Sequence, residues 1–298
     1  MCGIVGLFLK DATLQPALGG MLTEMLVTMT DRGPDSAGIA IYGTAHEGRA
    51  KLTVQSDQPD ADFERLEEDL SAALGVPVSV KSRDTHAVID LAGDQAGPAR
   101  AAVAKLRPGM RIMSDGEVVE IYKEVGLPAD VAARFELGSM AGTHGVGHTR
   151  MATESAVTTE GAHPFSTGPD QCLVHNGSLS NHNALRRRLR CEGVRIESEN
   201  DTEVGAAYLT WKMQQGASLG EALEAGLKDL DGFYTFVVGT RDGFGVLRDP
   251  IACKPAVMAE TDQYVAFGSE YRALVNLPKI DKARVWEPEP ATVYFWSH

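Results

Sequence analysis

The second residue of the chain carries the most nucleophilic side chain of the common amino acids. Cys2 follows the initiator Met1 directly, so removal of Met1 leaves a thiol and a free α-amine on one residue. An α-amine has a pKa of about 8, so part of it is unprotonated near neutral pH and can accept the thiol proton. Cys2 could therefore supply both nucleophile and base. The alternative is an ordinary buried thiol in a strand.

Seven short motifs follow one another in order along most of the chain. They are MCGIVG (1–6), RGPDSAG (32–38), GHTRMAT (147–153), AHPF (162–165), HNG (175–177), NDTE (200–203) and DGFYTF (231–236). A single motif is weak evidence, whereas the ordered series is specific. The series resembles that of class II glutamine amidotransferases, which are N-terminal nucleophile hydrolases. The resemblance implies that Cys2 attacks the side-chain amide of L-glutamine, releases ammonia and forms a γ-glutamyl thioester.

Glutamine presents an α-carboxylate, an α-ammonium and a carboxamide, and the resemblance assigns residues to each. Arg150 matches the arginine that binds the α-carboxylate, a task suited to a planar guanidinium. Asp201 matches the aspartate that binds the α-ammonium, although it also stands where a residue could cap the following helix. Asn176 and Gly177 match the residues that stabilise the tetrahedral oxyanion. The alternatives are a surface ion pair for Arg150 and a tight turn at 176–177.

Three more positions are assigned by the resemblance. Thr153 matches a residue that lines the glutamine pocket, and His148 and Arg32 match residues that brace Cys2 or its loop. After the GHTR arginine, many relatives have an aromatic residue where this chain has Met151, and some have histidine where it has Glu154. These departures predict a pocket lid that closes differently.

Metal and cofactor sites are not predicted. His148, His163 and His175 could suggest a metal, but the sequence has no HExxH or CxxC motif, and packing or a family role accounts for each histidine. Neither a P-loop nor a GxGxxG fingerprint occurs, so we expect no bound nucleotide.

Composition narrows the choice of partners and compartment. Lys and Arg total 28 against 41 Asp and Glu, and the net charge of -13 argues against binding to nucleic acid or an anionic membrane. The four cysteines form no CxxC pair, and no apolar stretch near the start is long enough for a signal sequence. We expect a cytoplasmic protein.

Strand and helix patterns predict an α+β fold. Short buried strands gather at both ends of the chain, beginning with residues 2–9, and are flanked by helices without regular βαβ alternation. Helices are predicted at 14–30, 181–192, 202–215 and 218–230, the last with a capping box formed by Ser218 and Glu221. The resemblance implies a four-layer αββα sandwich of two antiparallel sheets, the N-terminal nucleophile hydrolase fold, spanning residues 2–298.

Residues 48–138 form a predicted α/β module inserted into this domain. Many relatives join RGPDS to GHTR by a shorter segment, so glutamine chemistry does not explain the insert. Two interpretations of the insert remain open: it docks to a partner, or it is an addition without a role of its own.

The chain ends at His298, just past the last motif, which leads us to expect the ammonia acceptor site on other polypeptides. The insert and the N-terminal motifs are similar to the stand-alone glutaminase subunit of N-methylglutamate synthase and its glutamate-synthase-like relatives. That similarity implies separate partner chains with an FMN and iron-sulfur synthase domain and a β-helical domain. The alternatives are a free-standing N-terminal nucleophile amidase and a catalytically silent glutamine-binding subunit.

Overall fold

The computed structural model describes residues 2–152 and 156–298. Its strands are, in chain order, β1 (Gly3–Leu9), β2 (Ser36–Tyr42), β3 (Arg49–Gln55), β4 (Ser79–Arg83), β5 (His86–Ala92), β6 (Arg111–Gly116), β7 (Val119–Val125), β8 (His144–Arg150), β9 (Phe165–Gly168), β10 (Gln171–Leu179), β11 (Gly232–Thr240), β12 (Gly243–Arg248), β13 (Val257–Glu260), β14 (Tyr264–Gly268), β15 (Arg284–Trp286) and β16 (Thr292–Ser297). Its α-helices are α1 (Leu18–Val27), α2 (Pro59–Phe63), α3 (Leu66–Leu74), α4 (Ala96–Leu106), α5 (Pro128–Arg134), α6 (His182–Cys191), α7 (Asp201–Gln214) and α8 (Leu219–Asp229).

The strands of the described residues form three antiparallel sheets. One has the order β15-β13-β14-β1-β8-β2-β7, the second β16-β12-β11-β10-β9, and the third β4-β5-β3-β6. In the first sheet β1 lies between β14 and β8, and Gly3 is paired with Thr149. This register brings the end of β1 that follows Cys2 next to the end of β8 that carries Arg150.

The first two sheets pack face to face, which explains why β1 is buried along its whole length. Successive side chains of a strand point to opposite faces. Ile4 and Phe8 therefore face the second sheet, where they share a core with Val174 and Phe244. Residues of the other parity, such as Leu7, face helix α1.

Helices cover the outer face of each sheet. Leu22 and Leu26 of α1 are completely buried against the first sheet, while Leu189 of α6, Leu209 of α7 and Leu223 of α8 pack on the second. Burying one such side chain contributes about 1.5–3 kcal/mol. The layers run helix, sheet, sheet, helix, and the predicted αββα sandwich is confirmed.

The predicted helix boundaries need one correction. The helix expected at 14–30 is wrong over its first turns, because residues 12–17 form a 3-10 helix and α1 begins only at Leu18. Pro16 has no amide hydrogen to donate and restricts the residue before it. The capping box is confirmed, since Ser218 and Glu221 exchange hydrogen bonds at the start of α8.

The third sheet belongs to the segment that connects β2 to β8. Together with α3 and α4 it has its own core, which includes Leu52, Leu70, Ile89 and Val103. The range predicted for the module, 48–138, also contains β7 and α5. Strand β7 pairs with β2 in the first sheet, and α5 packs in the core beneath α1.

Asp170 joins this segment to the second sheet. Its carboxylate accepts the backbone N–H groups of Glu117, Val118 and Val119 at 2.8, 2.8 and 3.0 Å. Its own N–H donates to the carbonyl of Asp115. The turn between β9 and β10 is thereby fixed to the β6–β7 hairpin.

No helix among the described residues is long and apolar enough to cross a membrane.

Candidate active site

A cleft of about 950 Å³ opens where β1, β8 and β10 meet the start of α7. The structure brings six of the predicted site residues to its lining: Cys2, His148, Arg150, Asn176, Gly177 and Asp201. Arg32 lies behind Cys2, outside the lining. The predicted pocket residue Thr153 and its neighbour Glu154 lie outside the described residues.

Two side chains hold the backbone of Cys2. Its carbonyl accepts hydrogen bonds from Arg32 Nε and from Asn176 Nδ2, both at 3.0 Å. Its half-buried Sγ lies 3.9 Å from the carbonyl oxygen of Met151, and it forms no disulfide. The carbonyl is held from two directions, which fixes the backbone of Cys2 at the edge of the cleft.

Arg32 is anchored by a chain of charges. It ends a 3-10 helix at Thr30–Arg32, and its Nη1 lies 2.5 Å from Glu270 Oε1. The other oxygen of Glu270 lies 2.7 Å from Arg272 Nε and forms a second ion pair. Because Arg32 is buried while Glu270 is partly exposed, this ion pair fixes a cation directly behind Cys2.

The turn at residues 32–35 also fixes the end of β8. The Asp35 N–H donates to the carbonyl of Arg150 at 3.1 Å, and Asp35 Oδ2 accepts from the Ala152 N–H at 2.8 Å. A Cβ on Gly33 would lie 2.4 Å from the carbonyl carbon of Thr149, so only glycine fits this close approach. The side chain of Arg150 lines the cleft, and its Nη1 is 3.4 Å from the carbonyl of Ala156.

Asn176 and Gly177 lie inside β10, so the tight turn considered as an alternative is wrong. The Asn176 amide has two hydrogens, and the Cys2 carbonyl accepts one of them. Gly177 has a φ of 150°, and a Cβ there would lie 2.0 Å from the carbonyl oxygen of Phe233. The sheet itself therefore requires glycine at this position.

Asp201 is the first residue of α7 and does not cap it. Asn200 is the cap, since its side chain accepts from the Thr202 N–H at 2.9 Å, and the capping role considered for Asp201 is wrong. Asp201 Oδ2 instead accepts from the Leu179 N–H at 2.9 Å. Oδ1 faces the cleft and lies 3.8 Å from His175 Nδ1.

Three buried imidazoles form the floor of the cleft. The His163 ring is 4.0 Å from that of His148, and the Thr202 hydroxyl lies 3.1 Å from His163 Nε2 and 3.0 Å from His175 Nδ1. The backbone N–H of His175 donates to His163 Nδ1 at 3.4 Å. Because Nδ1 accepts this bond, we assign the ring proton of His163 to Nε2. Thr202 then accepts from His163 and donates to His175, whose proton lies on Nε2.

These histidines are neutral. Burial lowers the pKa of His148 to about 3 and the pKa of His163 well below its ordinary value. The pKa of His175 is also lowered by burial, against the opposing effect of Asp201. Within residues 2–152 and 156–298, no group of three or more His, Cys, Asp or Glu side chains is arranged to hold a metal ion.

Lys254 and Phe233 also line the cleft and were not predicted. The Lys254 ammonium lies 5.0 Å from the centre of the Phe233 ring. Arg248 donates to the carbonyls of Ala252 and Lys254 at 2.8 and 3.0 Å, which fixes the loop that carries the lysine. A single lysine before a proline has no recognisable sequence signal, because its position depends on this loop.

Comparisons with known proteins identify the family of the chain. The glutamine amidotransferase domain family matches residues 148–276. The chain is 69% identical to the glutamine amidotransferase-like protein GlxB of Rhizobium meliloti (strain 1021), over 100% of this chain and 99% of the relative. It is 33% identical to a putative glutamine amidotransferase of Methanothermobacter thermautotrophicus (strain Delta H), over 99% of both chains.

The fold is also found in a solved structure. Glutamine phosphoribosylpyrophosphate amidotransferase from B. subtilis superposes with a TM-score of 0.62 at 19% identity, and the match covers 99% of this chain and 47% of that one. The fold, the domain match and the two full-length relatives agree. The chain belongs to the class II glutamine amidotransferase family.

Proposed function

We propose that the protein hydrolyses L-glutamine to L-glutamate and ammonia in this cleft and delivers the ammonia to a synthase on partner subunits. One observation carries the proposal: a cysteine thiol, a guanidinium and a carboxylate line a single cleft. Arg150 binds the α-carboxylate and Asp201 Oδ1 binds the α-ammonium. The substrate is thereby held by both charged ends, with its carboxamide directed at Cys2.

The first half of the reaction forms a thioester. After Met1 is removed, the α-amine of Cys2 accepts the thiol proton and the sulfur attacks the carboxamide carbon. The second Asn176 amide hydrogen and the Gly177 N–H stabilise the oxyanion. Donors of this kind lower a barrier by about 3–4 kcal/mol each. The C–N bond then breaks as the α-ammonium returns its proton to the leaving nitrogen, which departs as ammonia.

The second half regenerates the thiol. The α-amine takes a proton from water, and the resulting hydroxide attacks the thioester carbon. The C–S bond breaks, glutamate leaves, and the sulfur regains a proton from the α-ammonium. One water is consumed for each glutamine, and the enzyme returns to its starting state.

The length of the relatives supports an acceptor site on another chain. The Rhizobium relative aligns over 99% of its own length, which leaves no room in it for a synthase domain. The phosphoribosylpyrophosphate amidotransferase, by contrast, is only 47% covered. We further propose the subtype implied by the motifs and the insert, an N-methylglutamate synthase or glutamate-synthase-like complex with flavin and iron-sulfur partners. Isolation of the native complex without a flavoprotein would contradict this subtype.

Steady-state glutamine turnover tests the chemistry, with partners present if turnover requires them. Cys2→Ala should abolish glutamate formation, whereas Cys191→Ala, which removes an exposed cysteine at the end of α6, should leave it unchanged. Turnover by the Cys2→Ala variant would end the proposal. A wild-type complex that binds glutamine and never hydrolyses it would instead favour the silent subunit.

Substrate selectivity separates a glutaminase from a general amidase. Arg150→Ala should raise KM for glutamine by about tenfold to a hundredfold, because a charge-assisted pair is lost, and should have little effect on amides that lack an α-carboxylate. An amidase that does not use Arg150 would show equal rates on glutamine and simple amides in both proteins.

A further inference from the structure

Lys123 is a buried cation that the reaction described above does not use. It lies on β7 with only 4% of its surface exposed. Its Nζ donates to the carbonyls of Glu160, Ala162 and Pro164 at 3.2, 2.8 and 3.3 Å. Its ammonium also lies 4.4 Å from the centre of the Phe165 ring. Among the described residues no carboxylate forms an ion pair with it.

The three carbonyls belong to the segment that forms one wall of the glutamine cleft. We call residues 156–164 the cleft loop. It contributes Ala156, Thr158, Glu160, Gly161 and His163 to the lining. Neighbouring Glu124 binds the same loop, since Thr159 donates to Glu124 Oε1. Two consecutive residues of β7 therefore hold the loop in place.

The cleft loop in turn contacts the guanidinium that we assign to the α-carboxylate. Arg150 Nη1 is 3.4 Å from the carbonyl of Ala156, and a Cβ on Gly161 would lie 3.1 Å from that same nitrogen. A shift of the loop by a few tenths of an ångström would therefore move the surroundings of Arg150.

We propose that Lys123 is a positioning residue for glutamine binding, and that its three hydrogen bonds to the cleft loop keep the binding site for the α-carboxylate formed. An ammonium has three N–H donors, which matches the three carbonyls, whereas a neutral amine has only two. Loss of the proton leaves one buried carbonyl without a donor and loosens the loop.

The surroundings of Lys123 make that proton easy to lose. Burial lowers the pKa of Lys123 to about 7. Glu203 on α7 and Glu160 on the loop oppose this change, whereas Arg111 on β6 and Arg150 on β8 add to it. His163 and His86 also face the ammonium, and both are neutral because burial lowers their pKa values.

Lys123 does not line the glutamine cleft but borders a separate cavity. A second cavity, of about 200 Å³, is lined by Lys123, Glu160, Ser198 and Glu203. Glu160 and Ser198 also line the glutamine cleft, so the cleft loop and the segment before α7 separate the two spaces. Because loss of the Lys123 proton loosens the cleft loop, we expect glutamine affinity to weaken as the pH rises through 7.

The test is KM for glutamine as a function of pH, using the chain with its native partners where turnover requires them. For the wild type, KM should rise about tenfold between about pH 6 and about pH 8.5, the cost of one lost hydrogen bond to a charged donor. The kcat value has its own pH dependence, since the α-amine of Cys2 must be unprotonated to act as a base.

Lys123→Met keeps the length of the side chain and removes its donors. Its KM at pH 6.5 should be about tenfold above that of the wild type and independent of pH, with kcat changed less than KM. Lys51→Met is the matched control. Lys51 is also largely buried, but it lies on β3, forms an ion pair with Glu120 and does not line the glutamine cleft. It should leave KM unchanged.

The inference rests on the proposed function, and the two can fail separately. Absence of any glutamine turnover in the wild type overturns the function. Turnover with a wild-type KM that stays constant across this pH range overturns the inference alone, and needs no variant that might misfold. A Lys123→Met variant that folds, keeps the wild-type KM and follows the same pH profile overturns it as well.

Discussion

The two walls of the cleft are built by different means. The reacting wall consists of Cys2, Asn176 and Gly177, which are fixed by strand pairing in β1 and β10 and by hydrogen bonds to the Cys2 carbonyl. The binding wall consists of Arg150, which ends strand β8, and of Asp201 and the cleft loop, which are held by side-chain hydrogen bonds such as those of Lys123. For the proposed glutaminase, this difference predicts that the reacting groups are positioned by backbone register, whereas substrate binding also depends on side-chain contacts that pH can alter.

The largest effect is expected from a change within the reacting wall. Gly177→Ala places a Cβ 2.0 Å from the carbonyl oxygen of Phe233 at a φ of 150°, so β10 must shift. The oxyanion donors shift with it, and kcat should fall by about a hundredfold or more in a glutaminase assay. Gly97→Ala, at a helical glycine with open space around it, should leave kcat unchanged. Equal kcat values for both variants would contradict the assignment of the reacting wall.

A charge change within the binding wall should affect affinity and spare chemistry. Asp201→Asn keeps an acceptor for the Leu179 N–H and removes the negative charge offered to the substrate ammonium. KM for glutamine should rise about tenfold or more, with a smaller change in kcat. Glu199→Gln is the control, because its exposed carboxylate pairs with Arg186. A similar loss in both variants would show that Asp201 acts only through overall charge.

The smallest effect on kcat is expected for a change at Thr202, which lies beneath both walls of the cleft. Thr202→Val removes the hydroxyl shared by His163 and His175 and leaves two buried ring nitrogens without a partner. The free energy of unfolding should fall by about 1–3 kcal/mol, measured by chemical denaturation, with kcat reduced less than tenfold. Thr23→Val, at a partly exposed helix position, should cost far less. A loss of kcat larger than that of Gly177→Ala would place the histidines within the chemistry itself.

Short motifs in the sequence predicted most of the residues that the structure brings to the cleft, because each motif fixes neighbouring residues on one strand. Gly147 to Arg150 and His175 to Gly177 are examples, and strand pairing then carries them into one cleft. The cap considered at Asp201 lies one residue too late, because Asn200 and Asp201 are both capable of capping. The choice between them depends on a tertiary contact, the hydrogen bond from Leu179 to Asp201.

Residues whose role depends on distant contacts were not predictable in this way. Lys123 lies 37 to 41 positions from the carbonyls that it binds, and its strand was assigned to the inserted module. Lys254 reaches the cleft through a loop fixed by Arg248. In the sequence, a lysine at either position cannot be told apart from an ordinary surface lysine. Only its packing in the folded protein shows that it is buried or lines the cleft.

Intact-mass analysis after reaction with a glutamine-mimicking electrophile tests whether the first residue of the processed chain is the nucleophile. We predict a mass that lacks Met1 and carries one adduct, mapped by fragmentation to Cys2, and protection of that site by excess glutamine. An adduct on Cys191 or Cys253, or continued glutamine turnover by a protein whose Cys2 is fully modified, would show that Cys2 is not the nucleophile.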